Sequence, residues 1–203
     1  MQHTTVPPGQ TFARRWAIYA ALGLPQVDLK SWRLSTGGLV EKPLKLSFED
    51  LEKLPQVTLT RDFHCVTTWS IKDVMWEGVA FRELAKLTSV KSEAEWVMFH
   101  CADGYTAPVR LEDAVVADSL IATKMNAKLI PVQQGFPARP FIPQLYGWKS
   151  AKWLTDIEFL PSYEDGYWEM YGYHERGNVW DEERFKSEGG KHVRRKGLGT
   201  LPI

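Results

Sequence analysis

Apolar and polar side chains alternate most clearly just after the middle of the first half of the chain. Val57, Leu59, Arg61 and Phe63 interleave with Thr58, Thr60, Asp62 and His64, a period of two that predicts a strand leading straight into Cys65. Ser31 to Val40 alternates in the same way before Gly37-Gly38 and predicts a strand entering a turn. Ser47-Phe48-Glu49-Asp50 offers a capping hydroxyl with a carboxylate three residues on. This predicts a short helix that ends near Pro55.

Further on, Asp73 to Gly78, with Trp76, reads as a turn, and Phe81 to Leu87 has helical spacing. Trp96 to Phe99 is a continuous apolar run suited to a buried strand, which ends at the turn His100-Cys101-Ala102-Asp103-Gly104-Tyr105. Leu111 to Val116 predicts a short helix. Ser119 to Lys124 and Leu129 to Val132 predict strands around a turn at Asn126. Gln133 to Pro143 is too rich in Pro and Gly for a regular element, and Trp153 to Leu160 returns to a strand pattern closed by Pro161. Many short strands with few helices indicate an α+β class, predominantly β. The expected organisation is an N-terminal arm over 1–30, a catalytic domain over 31–162 and an aromatic, then basic tail over 163–203.

Composition narrows the function classes. With 203 residues, 44% hydrophobic and 25% charged side chains and a formal net charge of zero, the chain matches a globular protein with a full core. That balance points neither to nucleic acid nor to insertion in a membrane. Cys65 and Cys101 are the two cysteines, so neither a disulfide framework nor a structural zinc site is indicated. Arg14-Arg15 followed by Trp16 to Leu24 is faintly similar to a twin-arginine export signal, but its apolar part is short and lacks a cleavage site. The expectation from the sequence is therefore a cytoplasmic protein.

The candidate chemistry starts at Cys65. A cysteine at a strand end is often an inert buried residue, but here His64, Thr67, Thr68, Trp69 and Ser70 crowd hydrogen-bonding groups around it. A thiolate in that place serves either as a nucleophile or as a soft metal ligand. A cysteine hydrolase needs a base, and His64, adjacent on a strand, points to the opposite face; His100 is the other candidate. About seventy residues later, Arg139, Lys149, Ser150 and Lys152 stand among Pro137, Pro140, Pro143 and Gly147. A planar fork, point charges and a hydroxyl on a stiff backbone suit a bound phosphate or a polar heterocycle.

Five motifs occur in order: His64-Cys65-Val66-Thr67-x-Trp69-Ser70, Trp76-x-Gly78-Val79, Gly104-Tyr105-Thr106, Gly135-x-Pro137-x-Arg139, and Tyr146 to Trp153. Together they resemble the sulfite-oxidase-like molybdopterin domain, in its short single-domain prokaryotic form. They are also similar to the catalytic subunit of the bacterial methionine sulfoxide reductase system.

The resemblance implies a predominantly β molybdopterin-binding fold and a molybdenum cofactor with Cys65 as the protein thiolate on the metal. It implies Arg139, Ser150 and Lys152 on the pterin and its phosphate, with Lys149 in the same basic segment. It places Gln134 where the family has Asn or His, and His64, Thr67 and Trp16 to Tyr19 near the cofactor. Tyr146 is expected at the rim of the metal's open position, with Tyr105 as a second candidate. The implied activity is two-electron oxygen-atom transfer on a small substrate, sulfoxide-like, N-oxide-like or sulfite-like, with a separate electron-transfer protein restoring the metal. A non-catalytic module that binds the cofactor or another anion on the same fold is the alternative. One departure bears on substrate: sulfite oxidases carry Arg five residues after the metal-binding Cys, and this chain has Ser70.

Overall fold

The computed structural model describes residues 6–187, so the basic run Lys191 to Lys196 lies outside the described residues. In chain order the elements are β1 (Thr11–Phe12), β2 (Leu34–Gly38), β3 (Lys45–Leu46), α1 (Phe48–Lys53), β4 (Gln56–His64), β5 (Trp69–Ala80) and α2 (Phe81–Thr88). There follow β6 (Trp96–Cys101), β7 (Thr106–Arg110), α3 (Leu111–Ala114), β8 (Leu120–Met125), β9 (Lys128–Leu129), β10 (Arg139–Phe141) and β11 (Leu154–Leu160). The class is the expected one, mostly strand with short helices.

Two sheets form. The first runs β1-β5-β8-β10, with β4 paired to β5 and β9 to β8; the second runs β3-β2-β11-β6-β7. The largest core cluster joins residues of the second sheet, among them Leu34, Val97, Phe99, Ile157 and Phe159, to Phe81 and Leu84 of α2. A second cluster sits under the first sheet, where Trp76 is fully buried and stacks on Phe141 with ring centroids 4.2 Å apart. Its aromatic rings extend to Phe63 and Trp16, and this cluster floors the site described below.

Local cues hold where side-chain chemistry is decisive. Ser47 caps α1 with Asp50 as reciprocal partner, a full capping box. Asn126 and Ala127, both at positive φ, make the tight connection between β8 and β9.

Three segments differ from the sequence expectation. Asp73 to Gly78 is not a turn but the middle of the twelve-residue β5. Asp73 sits at φ 51 in a bulge opposite the step from Arg61 to Phe63, and its amide donates to Asp62 Oδ1 at 2.8 Å. The turn-like residues are absorbed by one extra residue in the ladder. Gly78 is required there by close approach: a Cβ would lie 2.0 Å from the Ile121 carbonyl oxygen. Leu129 to Val132 gives only the end of β9, then a 3-10 turn over Val132–Gln134, since Pro131 has no amide to continue a ladder. Within Gln133 to Pro143, Arg139–Phe141 does form a strand, antiparallel to β8 at the edge of the sheet, where Pro140 is tolerated.

Candidate active site

A cleft of about 390 Å³ opens where the loop after β4, the turn after β6, the start of β10 and the segment 147–153 converge. β4 delivers Cys65 to its rim. The Cys65 amide donates to the Trp69 carbonyl at 2.9 Å, and Thr67 Oγ1 lies 3.2 Å from the sulfur. Cys65 is half-buried, while Cys101, at the end of β6, is buried and its thiol is pushed well up by desolvation.

Another part of the lining is built around Arg139. Its guanidinium is buried and uses Nε on Ser150 Oγ at 2.9 Å, Nη1 on the Gln134 carbonyl at 2.6 Å and Nη2 on the Ser150 carbonyl at 2.7 Å. Ser150 Oγ in turn donates to the Pro140 carbonyl. A single planar fork thus ties β10 to both flanking loops, a geometry that Lys does not reproduce.

Lys152 reaches the Tyr19 carbonyl and the Gln133 carbonyl, and its ammonium lies 4.7 Å from the Trp153 ring centroid. Burial, then the charge of Arg139, lowers its pKa to about 8. Gly135 is at φ 110 and a Cβ there would meet Lys152 Cβ at 2.9 Å, so only glycine lets the turn pass under that side chain.

Of the residues singled out in the sequence, Cys65, Thr67, Tyr105, Gln134, Arg139, Ser150 and Lys152 line this cleft. Three stand apart from the lining. His64 is buried beneath the loop, with Nδ1 2.8 Å from Ser70 Oγ, and burial lowers its pKa to about 4. Lys149 points away into a buried ion pair with Glu169 at 2.7 Å and also donates to the carbonyls of Pro108 and Glu175. Tyr146 is fully buried, stacked on Trp148 at 5.3 Å under the guanidinium of Arg184. Tyr105 presents its ring to the cleft while its hydroxyl donates to the Trp148 carbonyl at 2.6 Å. His100 pairs with Glu158 at 2.8 Å and is not part of the lining, so it supplies no base to Cys65.

Sequence reasoning missed Asp103, Trp168 and Tyr173, which complete the lining with Trp16 to Ala21. Asp103 sat in a recognised turn with nothing to mark its direction. Trp168 and Tyr173 belong to an aromatic run whose density was the available signal.

The donor set suits an anionic, sulfur-rich cofactor. Two cations, Arg139 and Lys152, stand in a largely desolvated wall, where Asp103 is the one carboxylate lining the cleft among the described residues. Such a surplus of positive charge suits an anionic ligand such as a phosphate. In the same cleft Cys65 offers one soft ligand. Among the described residues no group of three or more His, Cys, Asp and Glu side chains could cage a metal.

Residues 21–168 match the oxidoreductase molybdopterin binding domain. The chain belongs to that family. It is 39% identical over 185 residues to the uncharacterized oxidoreductase YuiH of Bacillus subtilis, covering 91% of this chain and 93% of that one. It is 33% identical to the protein-methionine-sulfoxide reductase catalytic subunit MsrP of Campylobacter jejuni, over 74% of this chain and 56% of the relative. The putative protein-methionine-sulfoxide reductase subunit YedZ1 of Azospira oryzae is 31% identical, over 77% and 60%. The chain therefore spans little more than half of the two reductase subunits. The sulfane dehydrogenase SoxCD of Paracoccus pantotrophus shares the fold, with a TM-score of 0.66 at 20% identity over 85% of this chain and 52% of that one.

As a member of the molybdopterin oxidoreductase family the chain is an enzyme, and its cofactor is molybdenum held by molybdopterin. The expected cytoplasmic location is corrected by the same relatives, since the methionine sulfoxide reductase subunits are periplasmic enzymes. The weak apolar run after Arg14-Arg15 and the scarcity of cysteine were not evidence for the cytoplasm. No helix among the described residues is long and apolar enough to cross a membrane.

Proposed function

We propose that this oxidoreductase catalyses two-electron oxygen-atom transfer on a small, uncharged S-oxide or N-oxide, with Cys65 as the protein ligand of the metal. The observation that carries the reading is the meeting of the Cys65 thiol and the Arg139, Ser150 and Lys152 cluster across one cleft, although they are far apart in the chain. Gln134, Arg139, Ser150 and Lys152 would hold the pterin and its phosphate, and Cys65 the metal. When bound, the cofactor supplies the two-electron oxygen chemistry. The chain's own residues hold it, orient it and wall it from water.

Ser70, at the position of the sulfite oxidase arginine, is fully buried and donates to Gln10 Oε1 at 3.2 Å, so it offers nothing to an oxyanion. Arg139 and Lys152 both spend donors on main-chain carbonyls. On the Cys65 side the rim is aromatic, with Trp168 and Tyr173. A neutral oxide fits that rim better than sulfite does, and the names of the reductase relatives agree with a sulfoxide. A separate protein would supply the electrons.

The test is purification from a host that makes the cofactor, followed by metal and pterin analysis and paramagnetic resonance with methyl sulfoxides and sulfite. The expected result is stoichiometric molybdenum and a signal that responds to sulfoxide. Cys65→Ser should lower turnover by more than the roughly 10–100-fold that losing a residue merely supporting a metal ligand costs. Protein without molybdenum or pterin, or a Cys65→Ser variant with unchanged spectrum and turnover, would sink the reading.

A further inference from the structure

The loop that carries Cys65 is gripped from both ends of the described chain. Gln10 Nε2 donates to the Cys65 carbonyl at 3.0 Å. The direction of that amide is fixed by the carbonyl, which can only accept, so Gln10 Oε1 faces Ser70 Oγ and accepts from it at 3.2 Å. Ser70 has one proton to give, so its oxygen accepts from His64 Nδ1–H at 2.8 Å. All three side chains are buried.

From the other side, Arg184 Nη1 donates to the Val66 carbonyl, the next one along. Its guanidinium lies 4.9 Å from the centroid of the Tyr146 ring, and Nη2 reaches the Pro8 carbonyl at 3.4 Å, which ties the two grips to each other. Gln10 and Arg184 both fall outside the residues 21–168 that match the family domain. The loop itself is open, with Thr67 and Thr68 exposed and Thr68 at φ 75; its backbone is closed by the Thr68 amide on the Cys65 carbonyl at 3.2 Å and the Cys65 amide on the Trp69 carbonyl at 2.9 Å.

We propose that Gln10 and Arg184 are positioning residues, a two-ended clamp on the carbonyls of Cys65 and Val66 that fixes the direction of the Cys65 thiol. A ligand side chain on an exposed loop keeps a productive angle only if its peptide planes are held by rigid neighbours, and here those neighbours come from outside the family domain. The use of that fixed direction, to face the metal, rests on the function proposed above. The clamp itself does not.

The experiment compares wild type with Gln10→Glu, Arg184→Met and the double variant. Gln10→Glu keeps the shape and the acceptor for Ser70 but loses the donor to Cys65. In metal-free protein, iodoacetamide modification of Cys65 and of Cys101 is followed in the same sample by peptide mass spectrometry, so that buried Cys101 reports global opening. Loss of one hydrogen bond from the loop should speed modification of Cys65 about three- to tenfold in each single variant, and further in the double, with Cys101 unchanged. Arg184→Lys, which keeps one donor, should restore most of the protection. An unchanged Cys65 rate, or Cys65 and Cys101 accelerating together, overturns the clamp; if the double variant does not fold, Gln10→Glu alone decides. In cofactor-loaded protein whose signal Cys65→Ser does change, the clamp further expects a shift in the paramagnetic signal at near-normal metal content, and an unshifted signal there overturns its use at the metal. A wild-type signal that Cys65→Ser leaves untouched would sink the metal-ligand reading alone, while the metal-free rates would still judge the clamp.

Discussion

Lys149 and Lys152 stand three residues apart on one basic segment and end in opposite surroundings. Lys149 is fully buried in a pair with Glu169, its ammonium also donating to two carbonyls, and Trp148 Nε1 joins the same carboxylate at 2.8 Å. Lys152 is half-buried on the cleft wall beside a second cation, Arg139. One lysine closes a charge balance inside the fold, and the other leaves a surplus facing the cleft. Only the second kind of site invites an anionic ligand.

The comparison breaks if the two lysines respond alike to substitution. Lys149→Met should cost about 3–5 kcal/mol of stability, the usual penalty for stranding one member of a buried pair, as read by chemical denaturation. Arg139→Lys should cost about 2 kcal/mol, since an ammonium cannot serve three acceptors in the plane of the fork, and should release pterin during gel filtration. Lys152→Met should change stability by less than about 1 kcal/mol while weakening cofactor retention. Lys152 also predicts an effect of pH. Lys152 has a folded pKa of about 8, lowered from 10.5 chiefly by burial. Between those values the unfolded chain binds the extra proton, so cofactor-free protein should gain stability as pH rises from about 8 to 10.5. A bound phosphate would hold the proton on Lys152 and flatten that rise, as would Lys152→Met; a rise that survives Lys152→Met would belong to another group.

The same contrast shows what a sequence can and cannot reveal. Period and capping fixed β4, α1, α2 and β11 because these depend on neighbours within a turn or two of chain. That Cys65 shares a cleft with Arg139, Ser150 and Lys152 was legible through the family resemblance of the five motifs, with the donors concentrated on a stiff Pro- and Gly-rich segment as the local sign. The direction of Lys149 was not, since it is decided by Glu169, twenty residues later in a 3-10 turn with no local pattern to announce it. Ser150 and Lys152 meet the cleft from an irregular backbone: Ser150 follows a 3-10 turn and Trp153 adopts φ 59. Asp73 shows the complementary failure, where turn-forming chemistry built a bulge inside a strand.

That bulge reaches beyond the site. β4 runs for nine residues, is paired to β5, and shows no strand partner on its other side among the described residues. A flat ladder edge of this length would be a template on which another chain could add a strand. The irregular step between Arg61 and Phe63 interrupts its register, and Arg61, paired with Asp118 at 3.0 Å, sets charge at the interruption. A register break and a charge at that point are features that disfavour edge-to-edge pairing of a strand of this length.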